Sequence, residues 1–124
     1  MKEYIDGDLV RYTSLYKEPV AEICEVRETS YLIRFMNGNF AKVTSQEIKP
    51  IPLIQEILEK NGWKLINGFY WSPNEEGAGV GLSSQTGYVW EAYIGRHLLR
   101  SNINNVSDLQ HLLFGLGLNS EMEV

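Results

Sequence analysis

The first fifty residues are written as short β-prone runs separated by turn residues: Leu9–Tyr12, Val20–Arg27, Tyr31–Met36 and Asn39–Val43. Branched and aromatic residues dominate these runs, as a pleated and partly buried surface requires. Asn37-Gly38 stands between the last two and predicts a two-residue hairpin with a type I′ turn. That register sets Phe35 opposite Phe40 with Ile33 on the same face, while Arg34 and Met36 point the other way. Ile33, Phe35 and Phe40 are therefore core candidates. With Asp6-Gly7-Asp8-Leu9-Val10 opening the set and Glu47-Ile48-Lys49-Pro50 closing it, the half predicts a small bent sheet. An SH3-like barrel limits exposed strand edges and is the first expectation; an open β-meander gives the same pattern.

The pattern changes period after Pro50. Leu53, Ile54, Ile57 and Leu58 form one helical apolar stripe, with Gln55, Glu56 and Glu59 on the solvent side. Pro52 suits the first helical position, Ile51 can staple onto the stripe, Lys60 complements the negative end and Gly62 can take a left-handed cap. Asn67-Gly68 then predicts a second tight hairpin, between Trp63–Ile66 and Phe69–Ser72. Both of its faces are apolar: Trp63, Leu65 and Tyr70 on one, Ile66, Phe69 and Trp71 on the other. Either the sheet is covered on both sides or one face is reserved for a partner.

Pro73–Gly77 has the composition of an exposed loop, and Ala78–Ser84 and Tyr88–Ile94 read as two further strands around Gln85-Thr86-Gly87. Gly79 and Gly81 share a face of the first, which requires a bend or the close approach of another element. Tyr88, Trp90, Ala92 and Ile94 alternate onto a core face. Ser107-Asp108-Leu109-Gln110 has the form of a capping box opening a last helix, with Val106, Leu109, Leu112, Leu113 and Leu116 on its apolar side. Gly115 permits close packing there, Gly117 is a candidate cap, and Asn119–Val124 is expected to fray.

The fold class expected is α+β. Residues 1–49 form a β-rich, SH3-like lobe and residues 50–124 a helix–meander–helix lobe, the two packed as one unit because neither alone buries a secure core. The run Pro50-Ile51-Pro52-Leu53 with Glu56-Ile57-Leu58-Glu59-Lys60-Asn61-Gly62-Trp63, followed by Val106–Leu113 with its Leu109-Gln110-His111-Leu112, resembles a family of small uncharacterised bacterial and prophage-borne proteins. Gly7-Asp8-Leu9-Val10 is similar to that family's opening. Ile54 stands where the family often has Thr, and Trp63 where it has Phe. The resemblance implies a cytoplasmic accessory protein from a mobile element, and it brings no activity and no site residue.

Composition narrows the classes. The chain has 124 residues, 44% hydrophobic and 22% charged, the make-up of an ordered globular protein. Net charge is −5, with seven basic against eight acidic residues in 1–50 and four against eight in 51–124, which disfavours nucleic acid as the partner. The single Cys24 admits no intramolecular disulfide, disfavours a cysteine zinc site and fits a reducing cytoplasm. No secretory signal pattern and no run of about 18 apolar residues occurs, so no membrane partner is expected.

Candidate chemistry is thin. His97, His111, Glu91 and Asp108 are the residues a hydrolase or metal site would use, with His111 three positions after Asp108, but they form no motif. Gly77-Ala78-Gly79-Val80-Gly81 lacks the third glycine of a dinucleotide fingerprint, where Ser84 stands. Cys24 lies among carboxylates that disfavour its thiolate, and Ser83 and Ser84 lack a nucleophile-elbow context. No enzyme activity, cofactor or metal is expected. Three constellations remain for binding. Tyr12, Tyr16, Tyr31 and Phe40 could line an aromatic groove for a proline-rich or methylated peptide. Arg96, His97 and Arg100 follow an aromatic strand and could hold phosphate, unless Glu91 pairs with an arginine. Trp71 heads the spare face of the second hairpin. The fourteen aromatics favour a protein-interaction module, with a protein partner or a second copy as ligand. Nucleic-acid binding through the SH3-like lobe or the arginine group is the alternative.

Overall fold

The computed structural model describes residues 4–73 and 79–124. Strands β1 (Leu9–Tyr12), β2 (Val20–Val26), β3 (Tyr31–Phe35), β4 (Phe40–Val43) and β5 (Ile48–Pro50) build an antiparallel sheet in the order β4-β3-β2-β1-β5. A single 3-10 turn at Ser45–Glu47 precedes β5. Strands β6 (Lys64–Ile66), β7 (Phe69–Trp71), β8 (Gly81–Ser83), β9 (Trp90–Ile94) and β10 (His97–Ile103) form a second antiparallel sheet in the order β10-β9-β8-β7-β6. Helix α1 (Gln55–Lys60) lies between the sheets in sequence, and α2 (Val106–Gly115) follows the second. The protein is thus α+β and mostly strand. No helix among the described residues is long and apolar enough to cross a membrane.

The first hairpin departs from its expected register. Arg34, not Phe35, stands opposite Phe40, and Ile33 opposite Ala41. Only Gly38 takes a positive φ, at 90°, its N–H donating to the Phe35 carbonyl at 2.9 Å while the Phe35 N–H reaches Asn39 O at 2.8 Å. The loop therefore holds three residues, a turn closed by a glycine bulge, and the extra residue rotates β4 by one position. Phe40 is turned outward to 60% exposure, while Ala41 and Val43 face in with Ile33. The second hairpin matches its expectation: Ile66 pairs with Phe69, and Asn67 and Gly68 both have positive φ, as a type I′ turn demands.

Helix α1 is shorter than its stripe implied. Pro52 makes an isolated bridge with Asn105, Leu53 N–H donates to Asn104 O and Val106 N–H to Ile51 O. Ile51–Leu53 is thereby pulled into an extended segment, and the helix starts only after Ile54. Its end follows expectation: Gly62 has φ 84°, its N–H reaches Glu59 O at 3.1 Å and the Trp63 N–H reaches Leu58 O at 3.0 Å. These two bonds make a Schellman cap.

Helix α2 begins two residues before the expected box. Asn105 caps it, accepting the Asp108 N–H at 2.8 Å, while Asp108 Oδ2 accepts the Asn104 N–H at 3.2 Å. Ser107 lies inside the first turn, and Gln110 serves elsewhere. None of the described residues stands within 4 Å of a Cβ position on Gly115, so that glycine makes no close packing contact among them. Gly117 does close the helix, with the Leu118 N–H on Leu113 O at 2.9 Å. The exposed loop predicted over Pro73–Gly77, and Ala78 in the predicted strand Ala78–Ser84, lie outside the described residues apart from Pro73.

Two cores result. Val10, Ala21, Ile23, Ile33, Val43 and Ile48 fill the smaller, on one face of the first sheet. The larger gathers Leu53, Leu58, Trp63, Leu82, Trp90, Leu109 and their neighbours under the second sheet, and it also takes Leu9, with Val20 packed against it. Leu9 and Val10 point to opposite sides of β1, so that strand serves both cores. The seam beside Leu9 is polar. Gln110 accepts the Leu9 N–H and donates to Gly7 O and Ser120 O at 3.1, 3.0 and 3.1 Å. His111 Nε2 meets the buried Asp8 carboxylate at 2.8 and 2.9 Å.

Candidate functional site

Period-two alternation divides the second sheet into a buried face and an open one. Tyr70, Leu82, Ala92 and Trp90 point to the helices and the larger core. On the reverse, cross-strand pairing lines up Lys64, Trp71, Gly81, Tyr93 and Leu98 in one row, with Ile66 and Phe69 in the next. Phe69 sits at the junction, its ring centroid 5.9 Å from Trp71 and 5.6 Å from Tyr93, edge-on to the latter at 83°. Gly81 makes this possible. A Cβ there would lie 3.0–3.3 Å from three atoms of the Trp71 ring, so the ring rests directly on the β8 backbone.

This face is apolar and largely uncovered. Ile66 and Leu98 are 53% and 52% exposed, and the three rings are half-buried against one another. Burial first, then the neighbouring Glu91 carboxylate, which accepts the Tyr93 hydroxyl at 3.4 Å, raises the Tyr93 phenol above its ordinary pKa and keeps it neutral. Beneath it the sheet is tied down: Trp90 Nε1 donates to Leu53 O and the Tyr70 hydroxyl to Glu59 Oε2, each at 2.8 Å, and the two rings meet edge-on at 5.9 Å. The sheet thus carries an aromatic patch on its open face.

The sequence candidates distribute as follows. Trp71 lies on the open face, on β7 beside the central strand β8. Tyr12 is packed edge-on to Phe35 at 5.5 Å and Tyr31 to Tyr4 at 5.7 Å, both against the smaller core, whereas Tyr16 is 90% exposed on the β1–β2 loop. No ring contact among the described residues joins any two of Tyr12, Tyr16, Tyr31 and Phe40, and Phe40 is turned to the sheet face opposite Ala41 and Val43. Arg96 stands at the β9–β10 turn and His97 is exposed at the start of β10, but Arg100 is directed to α2, with Asp108 Oδ1 at 3.4 Å and Asp108 O at 3.4 Å. Glu91 is not its partner. Arg100 is therefore committed to a helix rather than displayed beside Arg96.

His111 pairs with Asp8 instead of sharing a site with Asp108, and no group of three metal-ligating side chains gathers among the described residues. The Cys24 thiol donates to Glu22 O at 3.7 Å, and Ser84 closes a turn through Val89 O and the Gly87 N–H. Leu98 was missed as a site residue because β10 was missed. Its signal was Gly95-Arg96, where Ile94 pairs with His97 and Gly95 has φ 58°, the glycine-first two-residue hairpin turn. Comparison with known proteins gives no match to a family model, to a curated protein or to a solved structure.

Proposed function

We propose that this chain is a non-enzymatic protein-interaction module and that it binds through the open face of the second sheet. The observation that carries the reading is the contiguous set Ile66, Phe69, Trp71, Tyr93 and Leu98 on one face of the sheet, with Ile66 and Leu98 more than half exposed. Aromatic, charge-poor patches of this kind are where protein interfaces concentrate their binding energy. Lys64 and Glu91 stand at the margins as polar rim. We read the first sheet as SH3-like, a reading supported by its strand order and by the 3-10 turn before β5.

Trp71 supplies the test, because it is the half-buried one of the three tryptophans while Trp63 and Trp90 are 5% and 3% exposed. A partner or second copy seated on the face shifts tryptophan emission to the blue in the unaltered chain and not in Trp71→Ser. Association measured by sedimentation is insensitive to salt and weakens by about 30-fold or more in Trp71→Ser. Capture of the same partner with unchanged affinity by a folded Trp71→Ser chain would overturn the reading.

A further inference from the structure

Residues Asn119–Val124 have no regular secondary structure, yet they are gripped along their length. The Asn61 carboxamide accepts the Glu123 N–H and donates to the Glu123 carbonyl, both at 2.7 Å. Its remaining amide hydrogen is held by Ile57 O at 2.7 Å, which fixes the side chain in the reading position. Gln110 donates to Ser120 O at 3.1 Å and Lys60 Nζ to the Val124 main-chain oxygen at 3.0 Å. Met122 and Val124 turn inward against the larger core, while Asn119, Glu121 and Glu123 face water. That alternation is the pattern of an extended strand. Apart from those two apolar side chains, every one of these bonds is made to backbone, so the trough recognises extended shape rather than sequence.

The resident segment under-fills its seat. A cavity of about 220 Å³ runs beside Met122 between Trp63, Leu113 and Leu118, and a groove of about 520 Å³ opens beside Met122 and Val124 over Leu9, Val20 and Met36. The groove is walled mainly by apolar side chains, whereas Asn61, Ser72, Asn119 and Glu121 share the lining of the smaller cavity; methionines 36 and 122 adapt to the shape of an incoming side chain. Side chains larger than Met and Val at these positions would bury more apolar surface while keeping the same backbone bonds.

We propose that this trough binds an extended peptide of a partner protein, one with large apolar side chains two positions apart. Asn119–Val124 is its resident competitor. The residue between them corresponds to Glu123, whose two backbone groups Asn61 reads. The tethered segment competes at an effective concentration on the order of mM, so the free affinity of the trough is masked in the unaltered chain. The trough lies on the helical side of the second sheet, apart from the Trp71 face, and the two proposals fail independently.

The test uses a labelled peptide of residues 117–124 carrying Met122→Phe and Val124→Leu, titrated by fluorescence anisotropy against the full chain. In the full chain Met122→Ser, which loosens the resident segment, the peptide binds about tenfold or more tighter than to the unaltered chain. Methylating the nitrogen of peptide residue 123 removes the N–H that Asn61 accepts and weakens binding about tenfold or more; Asn61→Ala in the protein does the same. Equal binding of a Met122→Ser, Val124→Ser peptide, or of the methylated peptide, overturns the proposal. If the Met122→Ser chain fails to fold, the same ranking of peptides must appear on the unaltered chain at millimolar peptide, and its absence there overturns the proposal equally.

Discussion

Gly81→Ala probes whether the Trp71 ring truly rests on the β8 backbone. Gly81 has an ordinary extended conformation, so alanine carries no backbone strain and gains about 0.5–1 kcal/mol by removing glycine's freedom in the unfolded chain. Opposing this, the new Cβ would stand 3.0 Å from Trp71 Cζ3, 3.1 Å from Cη2 and 3.3 Å from Cε3. Carbon atoms pack best near 3.5–4.0 Å, so the ring must lift. Lifting it gives up the Phe69 contact, worth about 0.5–1.5 kcal/mol, along with part of its own burial. The net expectation is a loss of about 1 kcal/mol for Gly81→Ala in the unaltered chain. In a Trp71→Ala background the obstacle is gone and the same substitution stabilises by about 0.5–1 kcal/mol. Urea denaturation followed by circular dichroism measures all four corners of the cycle, with equal m-values as the check on two-state behaviour. A coupling below about 0.5 kcal/mol, with Gly81→Ala acting alike in both backgrounds, would refute the placement of the ring.

Other substitutions test other parts of the scaffold. Gly62→Ala forces a left-handed alanine into the α1 cap and is expected to cost about 1–2 kcal/mol through backbone strain, read from the urea midpoint; among the described residues its Cβ meets only Pro73, at an ordinary 3.5 Å. Gln110→Met leaves the buried Leu9 N–H without its acceptor and is expected to cost about 2–3 kcal/mol, with faster hydrogen exchange at the Leu9 amide; unchanged exchange would sink the seam argument. Tyr4, whose phenol burial raises to about 12 with further contributions from Tyr31, Asp8 and Asp108, favours the neutral form in the fold. Its stabilisation is complete below pH 10, where the unfolded tyrosine ionises, and is lost as pH rises through about 12. Relative to the unaltered chain, Tyr4→Phe should therefore gain about 1 kcal/mol between pH 10 and 12, after allowance for partial hydration of the hydroxyl; parallel curves would contradict the burial.

Local signals were legible and long-range ones were not. Asn67-Gly68 and the Gly62 cap are decided within a few residues, and both formed as their chemistry requires. Ile51 and Leu53 have helical spacing relative to Ile57 and Leu58, but they are claimed by Asn104 and Val106, some fifty residues away. No local window contains that competitor. Phe40 failed for a subtler reason, since a two-residue and a three-residue loop share Asn37-Gly38 and differ by one register step, which exchanges the faces of β4. For the open face, Ile66, Phe69 and Trp71 were visible as a surplus of apolar residues, and Gly81 as a demand for close approach. That the demand is met by Trp71 itself follows only from β7 and β8 being neighbours.

The two carboxamides Asn61 and Gln110 explain why the segment after α2 was expected to fray and does not. An unpaired extended segment leaves N–H and C=O groups that must bond to water or to a neighbouring strand. Here no strand among the described residues lies alongside; side-chain amides, which carry the same donor and acceptor as a peptide group, take its place at Glu123 and Ser120. The same device joins β1 to α2, where Gln110 bonds Leu9 and Gly7. Such a junction orders the backbone without demanding a particular sequence from it, because the amide reads only main-chain groups. It is also separable, since the released groups find equivalent bonds in water and only Met122 and Val124 surrender apolar contact. A strand pairing along the whole segment would have been both stronger and harder to exchange. The grip of two amides and two half-buried side chains holds the segment in place while leaving the trough open to a better-fitting occupant.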